Sequence, residues 1–259
     1  MDQREHEWLQ EKIGVISTSE LSRLMPTTAS GKWTAGNKSY LYKIQRQRFL
    51  KQPSPPVYSR TMQIGIENEP YAVAWLRANT DMSIMHCSTD FSKKIFVKTE
   101  WGLGCSPDVY ETAIQEYVTE LKVVVKSEVQ INSLIEIKCV AGEESTNFYF
   151  SPTISFEKKR MRAFDEHRDQ MAGQLLAHEG VDIVRLMKYD PQDDNDPFDL
   201  RSPIDPSRGI LFNYTRAEFG AYLDTIKERV IFADSYLDSG KDIDLINDDW
   251  EIYLQQKTK

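Results

Sequence analysis

The amino-acid sequence predicts an α/β fold, a mixed β-sheet core flanked by helices. Three observations carry that expectation. The run Ser133-Leu-Ile-Glu-Ile-Lys-Cys-Val140 is short, rich in apolar and β-branched residues and closed by Ala141-Gly142, so it reads as a largely buried strand. Stretches with helical spacing of apolar residues alternate along the chain with further short β-forming runs. The 259 residues, 40% hydrophobic and 28% charged, suit one large domain with a sizeable core or two small ones and have the composition of an ordinary globular protein.

From the N-terminus, a polar segment leads to Trp8 and Leu9, and Gly14-Val-Ile precedes Ser17-Thr-Ser-Glu20. Ser17 with Glu20 fits a capping box opening a short helix, and a helix N-terminus offers free amides to a phosphate. The loop 26–31 follows. Gly31-Lys-Trp-Thr-Ala-Gly36-Asn-Lys38-Ser39 is not a nucleotide-binding loop, because Asn37 intrudes before Lys38 and no buried strand leads into it. Tyr40, Leu41, Ile44 and Phe49 mark a helix over 39–50, ended by the prolines of 53–56. A second helix over about 61–79 is expected to bury Ile64, Tyr71, Ala72, Trp75 and Leu76.

Strand-like runs follow at 82–88, 91–97 and 105–110, an antiparallel meander leading to the strand at 133–140. Between them, residues 111–132 contain the strongly β-forming Tyr117 to Val125 and read as an inserted or lengthened hairpin. After the strand, Asn147 to Pro152 is expected as a loop, 157–179 as a helix and 182–189 as a strand. Lys158, Lys159, Arg160, Arg162 and Arg168 make the first half of that helix basic, the unfavourable sign for a helix N-terminus and a feature suited to a polyanion. Asp190 to Asp196 lacks the glycine and glutamate of a calcium loop and reads as a linker. A strand at 210–214, a helix over 215–237 capped by Thr215 and Glu218, and an acidic tail complete the chain, with the strand-helix extension spanning about 205–259.

Net charge is −8, yet residues 1–64 carry ten Lys and Arg against five Asp and Glu, while 190–251 carry six against sixteen. The front half is therefore the part suited to a DNA-facing surface. Cys87, Cys105 and Cys139 are too scattered for a zinc or iron-sulfur pattern, and the four histidines have no metal-ligand spacing. With no run of about 18 apolar residues and a polar N-terminus, the expectation is a cytoplasmic protein with reduced thiols and no membrane span.

The chemistry concentrates at two places. Glu136 and Lys138 share one face of their strand, and opposite charges in an apolar strand call for mutual pairing or a metal. Upstream, Pro107 stiffens the approach to Asp108, and a hairpin from there to residue 133 would bring Asp108 beside Glu136. Two carboxylates suit Mg²⁺, and a lysine beside them suits a phosphodiester whose charge builds during cleavage.

Pro107-Asp108 followed by Glu136-Ile137-Lys138 resembles the Pro-Asp…(Asp/Glu)-x-Lys nuclease superfamily, whose fold is the restriction-endonuclease-like mixed sheet. The ordered set Ile13 to Glu20, Gly65-Ile-Glu-Asn-Glu69 with Ala72, Cys105 to Asp108, Glu136 to Cys139, and Gln170 with Gln174 is similar to the phage lambda exonuclease type (YqaJ-like viral recombinase nucleases) over about residues 8–190. The resemblance implies one nuclease domain over 1–259. It implies Mg²⁺, with Mn²⁺ substituting, on Asp108, Glu136 and the Ile137 carbonyl, Glu69 pointing into the site rather than Glu67, Gln170 supporting it, and Lys138 acting on the attacking water. His167 stands where that family commonly has tyrosine. Lys12 and Ser19 match the residues that hold the 5′-phosphate of a DNA end, with lysine in place of the usual arginine, and Lys32 is a further basic residue of the adjacent loop. The implied activity is 5′-to-3′ digestion of one strand of linear duplex DNA for phage-type recombination in a bacterial cell, by a ring-shaped trimer working with a single-strand annealing protein. An endonuclease of restriction or repair type, and a DNA-end-binding module with little activity, share the same motifs.

Overall fold

The computed structural model describes residues 3–26, 31–55, 59–91, 94–118, 124–191, 199 and 201–257. Helix α1 (Gln3–Glu11) leads into the two-residue strand β1 (Ile16–Ser17) and a 3-10 turn over Thr18–Arg23. Ser17 caps that turn without a side-chain bond to it. Glu20 reaches away to Arg23 and Lys43, so the predicted capping box does not form. Helix α2 (Ala35–Leu50) instead carries the box, Thr34 with Asn37, and starts four residues before its predicted limit. It buries Tyr40, Leu41 and Ile44 but leaves Phe49 85% exposed.

Helix α3 (Arg60–Asn79) buries Ala72, Val73, Trp75 and Leu76. Tyr71 was expected on that side but is half exposed. Pro70 lies inside α3, so the Ile66 carbonyl lacks its helical donor just where Glu69 leaves the helix. Strands β2 (Ile84–His86) and β3 (Val97–Lys98) are shorter than the runs predicted at 82–88 and 91–97, and β4 (Leu103–Cys105) meets the run predicted at 105–110 only at Cys105. The meander divides, because β4 pairs with β1 in parallel and with β3 antiparallel in a small sheet of its own.

The main sheet has the order β2-β5-β6-β7-β8, where β5 is Val109–Val118, β6 is Val124–Cys139, β7 is Ile183–Tyr189 and β8 is Gly209–Thr215. All its neighbours are antiparallel except β6 and β7, the mixed arrangement expected. The β5–β6 hairpin runs past the strands on either side, as the lengthened hairpin at 111–132 predicts. Helix α4 (Glu143–Phe150) occupies the segment expected as a loop, with Tyr149 buried beneath it. Helix α5 (Phe156–Ala177) matches its prediction. The predicted helix over 215–237 is two pieces, α6 (Arg216–Phe219), with the Thr215–Glu218 box, and α7 (Ala221–Asp238), broken by Gly220 at φ +47°. Helix α8 (Ile246–Lys257) closes the chain. The aspartates 193, 194 and 196 of the expected linker lie outside the described residues.

Alternation along β6 divides the core. Ile135 and Ile137 pack with Val109, Met187 and the apolar side of α3, while Leu134 lies in the larger core with Met171 and Leu175 of α5. Glu136 and Lys138, two and four residues on from Leu134, therefore face α5. Among the described residues no helix is long and apolar enough to cross a membrane.

Candidate active site

The antiparallel register pairs Val109 with Ile135, and one step beyond it Asp108 stands opposite Glu136. The Ile137 amide donates to Asp108 Oδ2 at 2.7 Å, which locks the aspartate against the neighbouring strand. Lys138 Nζ donates to Glu136 Oε1 at 2.6 Å. Helix α5 supplies two amides from one face, since Gln170 and Gln174 are one turn apart. Gln170 Nε2 donates to Glu136 Oε1 at 2.6 Å, and Gln174 Nε2 donates to Oε2. Glu136 is 3% exposed and has both oxygens engaged, which is how a buried carboxylate is tolerated.

Burial, Glu136 and Glu69 together push the Asp108 carboxyl well above the ordinary aspartate range, against the opposing pull of Lys138 and the Ile137 amide. Burial disfavours the Lys138 ammonium, but Glu136 and Asp108 outweigh it and hold its pKa above the usual lysine value. Three acids thus face one ammonium, and the site is short of positive charge. Among the described residues no three His, Cys, Asp or Glu side chains stand together as a ready metal cage. Mg²⁺ commonly takes only one or two protein carboxylates and keeps waters, so the oxygen donors Asp108 and Glu136, with the strand backbone at Ile137, fit it.

Glu69 reaches the same space from α3, held by His86 Nε2 at 2.6 Å. A cavity of about 690 Å³ joins these groups to Lys12, Ser19 and Gln170. Lys12 lies over the Trp8 ring, 3.9 Å from its centre, with Lys94 at 5.1 Å from the same ring. Trp8 Nε1 donates to Ser106 Oγ at 2.7 Å, tying α1 to the segment before Asp108. Ser19 Oγ and Ser17 Oγ, 2.9 Å apart, line the same cavity. Burial pulls the Lys12 pKa down to about 8, only partly countered by Glu20.

The predicted residues Asp108, Glu136, Ile137, Lys138, Glu69, Gln170, Lys12 and Ser19 are therefore brought together around one space. Lys32 is not. Its ammonium pairs with Glu251 of α8 at 3.0 Å, and it lines no part of the cavity. The basic start of α5 is also largely committed within the fold. Arg160 binds Glu218, Arg162 binds Glu166 at 2.8 Å, Lys159 donates to the Ser151 carbonyl at 2.8 Å, and Arg168 lies over Tyr222. His167 Nε2 accepts from the buried Lys188, whose partner in register across the strands is Lys138.

Gln174, His86, Trp8, Ser106 and Lys94 have site roles that the sequence left unassigned. The signal for Gln174 was its spacing from Gln170, which puts both amides on one helix face. Nothing in the order of residues pointed to His86.

No protein-family model matches the chain, and no curated protein sequence matches it. Solved structures share its fold. An alkaline exonuclease (LHK-Exo) from Laribacter hongkongensis superimposes with a TM-score of 0.57 at 20% identity, over 98% of this chain and 97% of that one. LHK-Exo in complex with dAMP gives a TM-score of 0.52 at 19% identity over the same shares. A phage-related exonuclease from Haemophilus somnus 129PT gives 0.57 at 14% identity, over 87% of this chain and 94% of that one. The architecture is the nuclease-like mixed sheet flanked by helices that the motifs of the sequence resemble.

Proposed function

We propose that this chain is a Mg²⁺-dependent deoxyribonuclease, with Mn²⁺ able to substitute, that digests one strand of linear double-stranded DNA in the 5′-to-3′ direction and leaves a 3′ single strand for recombination. The observation that carries this reading is the convergence of Asp108, Glu136 and Lys138 in one cavity that Lys12, Ser17 and Ser19 also line. Asp108 and Glu136, with the Ile137 backbone, hold the cation. When bound, the cation neutralises charge on the scissile phosphodiester and lowers the pKa of water.

The chain's own groups do the rest. Lys138 presents an ammonium to the phosphate oxygens and orients the attacking water, since Glu136 and Asp108 keep it charged. Gln170 and Gln174 clamp Glu136 so that it does not swing when substrate arrives. Lys12 and the two serines suit the terminal phosphate, which sets where the strand end stops. The fold neighbours are named exonucleases, and one is in complex with dAMP, which supports a mononucleotide product. The motif resemblance supports a trimeric ring on DNA ends, a single-strand annealing partner and action in the bacterial cytoplasm.

The test is nucleotide release in Mg²⁺ from a linear duplex with 5′-phosphate, beside 5′-hydroxyl and closed-circular duplexes. Release from the phosphorylated linear duplex alone is expected. Cutting of the circle would replace this reading with an endonuclease, and no cutting with an end-binding module.

A further inference from the structure

The end of β2 and the residue after it touch two of the three acids. His86 is 4% exposed and directs Nε2 at Glu69 Oε1, 2.6 Å away, so that nitrogen carries the proton and the carboxylate accepts it. The next residue, Cys87, donates its amide to the Asp108 carbonyl at 2.9 Å. The other ring nitrogen, Nδ1, lies 2.8 Å from Thr89 Oγ1, which itself lies 3.2 Å from Asp90 Oδ1. Asp90 Oδ2 accepts from the His86 amide at 2.8 Å and from Arg77 Nη2 at 2.7 Å.

Arg77 and Glu69 both belong to α3, eight residues and about 12 Å apart at 1.5 Å per residue. The bonds therefore form a closed circuit that leaves α3 at Arg77, runs through Asp90, Thr89 and His86, and returns to α3 at Glu69. His86 spends one ring nitrogen on a cavity acid and the other on Thr89. Glu69 leaves α3 beside Pro70, where the helix is weakened, and so needs an external hold.

We infer that His86 is a positioning residue for the cation site: it fixes Glu69 Oε1 so that the other oxygen stays turned toward Asp108 and Glu136. The inference deepens the nuclease reading and rests on it. Removing the ring frees Glu69 to rotate away. The expected consequence is a weaker hold on the divalent cation rather than a slower bond-breaking step once the site is filled.

The experiment uses the full chain and measures Mn²⁺ binding by electron paramagnetic resonance without DNA, alongside the Mg²⁺ concentration that gives half-maximal nucleotide release. His86→Ala is expected to weaken Mn²⁺ binding and to raise the half-activating Mg²⁺ concentration by about 10-fold or more, while kcat at saturating Mg²⁺ recovers most of its value. His86→Gln, whose amide reaches Glu69, is expected to restore binding, and Thr89→Val to give an intermediate loss. Should His86→Ala fail to fold, the last two variants decide. Unchanged Mn²⁺ binding in His86→Ala overturns the inference alone, as does a loss that His86→Gln leaves unrepaired. Wild-type protein that neither binds Mn²⁺ nor cuts DNA overturns the nuclease reading and this inference with it.

Discussion

Lys12→Met separates what Lys12 does for the fold from what it does for a DNA end. The ammonium is pressed between Trp8 and the cavity wall, and burial lowers its pKa from 10.5 to about 8. At about 1.4 kcal/mol for each tenfold change in proton affinity, keeping it charged there costs the fold on the order of 3 kcal/mol. The cation–π contact with Trp8 returns about 1 kcal/mol, leaving roughly 2 kcal/mol that methionine, of similar shape and without charge, would recover. The variant should therefore melt a few degrees higher, at about 2–4 °C per kcal/mol for a chain of this size. The gain should be largest below pH 8 and fade as pH rises toward 10.5, because the folded protein sheds that proton first. On DNA the sign reverses. A charge-assisted bond to a terminal phosphate is worth about 1.5–3 kcal/mol, so kcat/KM on 5′-phosphorylated ends should fall by roughly 10- to 150-fold and on 5′-hydroxyl ends hardly at all. In wild-type protein the preference for phosphorylated ends, measured as the ratio of kcat/KM values, should decline above pH 8, since kcat/KM reports the free enzyme. A Lys12→Met protein that melts lower and keeps the phosphate preference would refute both halves.

Three further outcomes follow from the same geometry. Lys138→Ala should lower kcat by about 10²–10³ with the circular dichroism spectrum unchanged, because the ammonium nearest the acids is lost; wild-type digestion by a folded variant would sink the assignment. Acid should unfold the protein through the Glu166–Lys188–His167 group. Burial and Lys188 hold His167 down to about 3, while Tyr149, Lys188 and Arg162 overcome burial to hold Glu166 down to about 2. The stability from His167 is complete above pH 6.5 and lost toward pH 3, and that from Glu166 is complete above pH 4.5 and lost toward pH 2, so melting temperature should fall with acid, less steeply in Glu166→Gln. Gly102→Ala should cost more than about 2 kcal/mol, read as a denaturant midpoint, because Gly102 sits at φ +90° and an added Cβ would overlap the Asp234 carboxylate that Arg48 binds.

What the sequence disclosed, and what it hid, follows the range of the forces involved. Asp108, Glu136 and Lys138 were readable because alternation along a strand and pairing across a hairpin are local rules. The helices α3 and α5 were readable from their spacing. The segment 147–150 looked like a loop because Asn147 and Pro152 bracket it, yet Tyr149 anchors it as a helix by reaching Glu166 and packing on Phe212, contacts made by distant residues. Apolar character alone places Tyr71 inside, yet it is half exposed, and Phe49, whose spacing marks the helix, is left in solvent. Lys32 was assigned to the DNA end by its loop, while its partner Glu251 lies more than two hundred residues away. The circuit through His86 joins α3 to residues 86–90 largely through side chains, and no local pattern encodes it.

The net charge of −8 and the proposed DNA substrate are reconciled by where the cavity's cations stand. The basic face of α5 looked like the obvious polyanion surface, but Arg160, Arg162 and Arg168 are tied to neighbouring acids or rings, and screening by those acids leaves little field outside. Lys12, Lys94 and Lys138 line the cavity itself, and none has a carboxylate within 4 Å among the described residues apart from the Lys138 pair with Glu136. Attraction for DNA is then concentrated at the strand end instead of spread along the duplex. With about three phosphates neutralised per chain, log Kd for a 5′-phosphorylated duplex should change with log salt at a slope of only about 3, measured by fluorescence anisotropy in EDTA to prevent cleavage. Replacing Lys12 should lower that slope by about one, and reversing the charge of exposed Lys158 should leave it unchanged. A slope of about 6 or more, or one that falls when Lys158 is reversed, would return the helix surface to the DNA path and displace the cavity as the main contact.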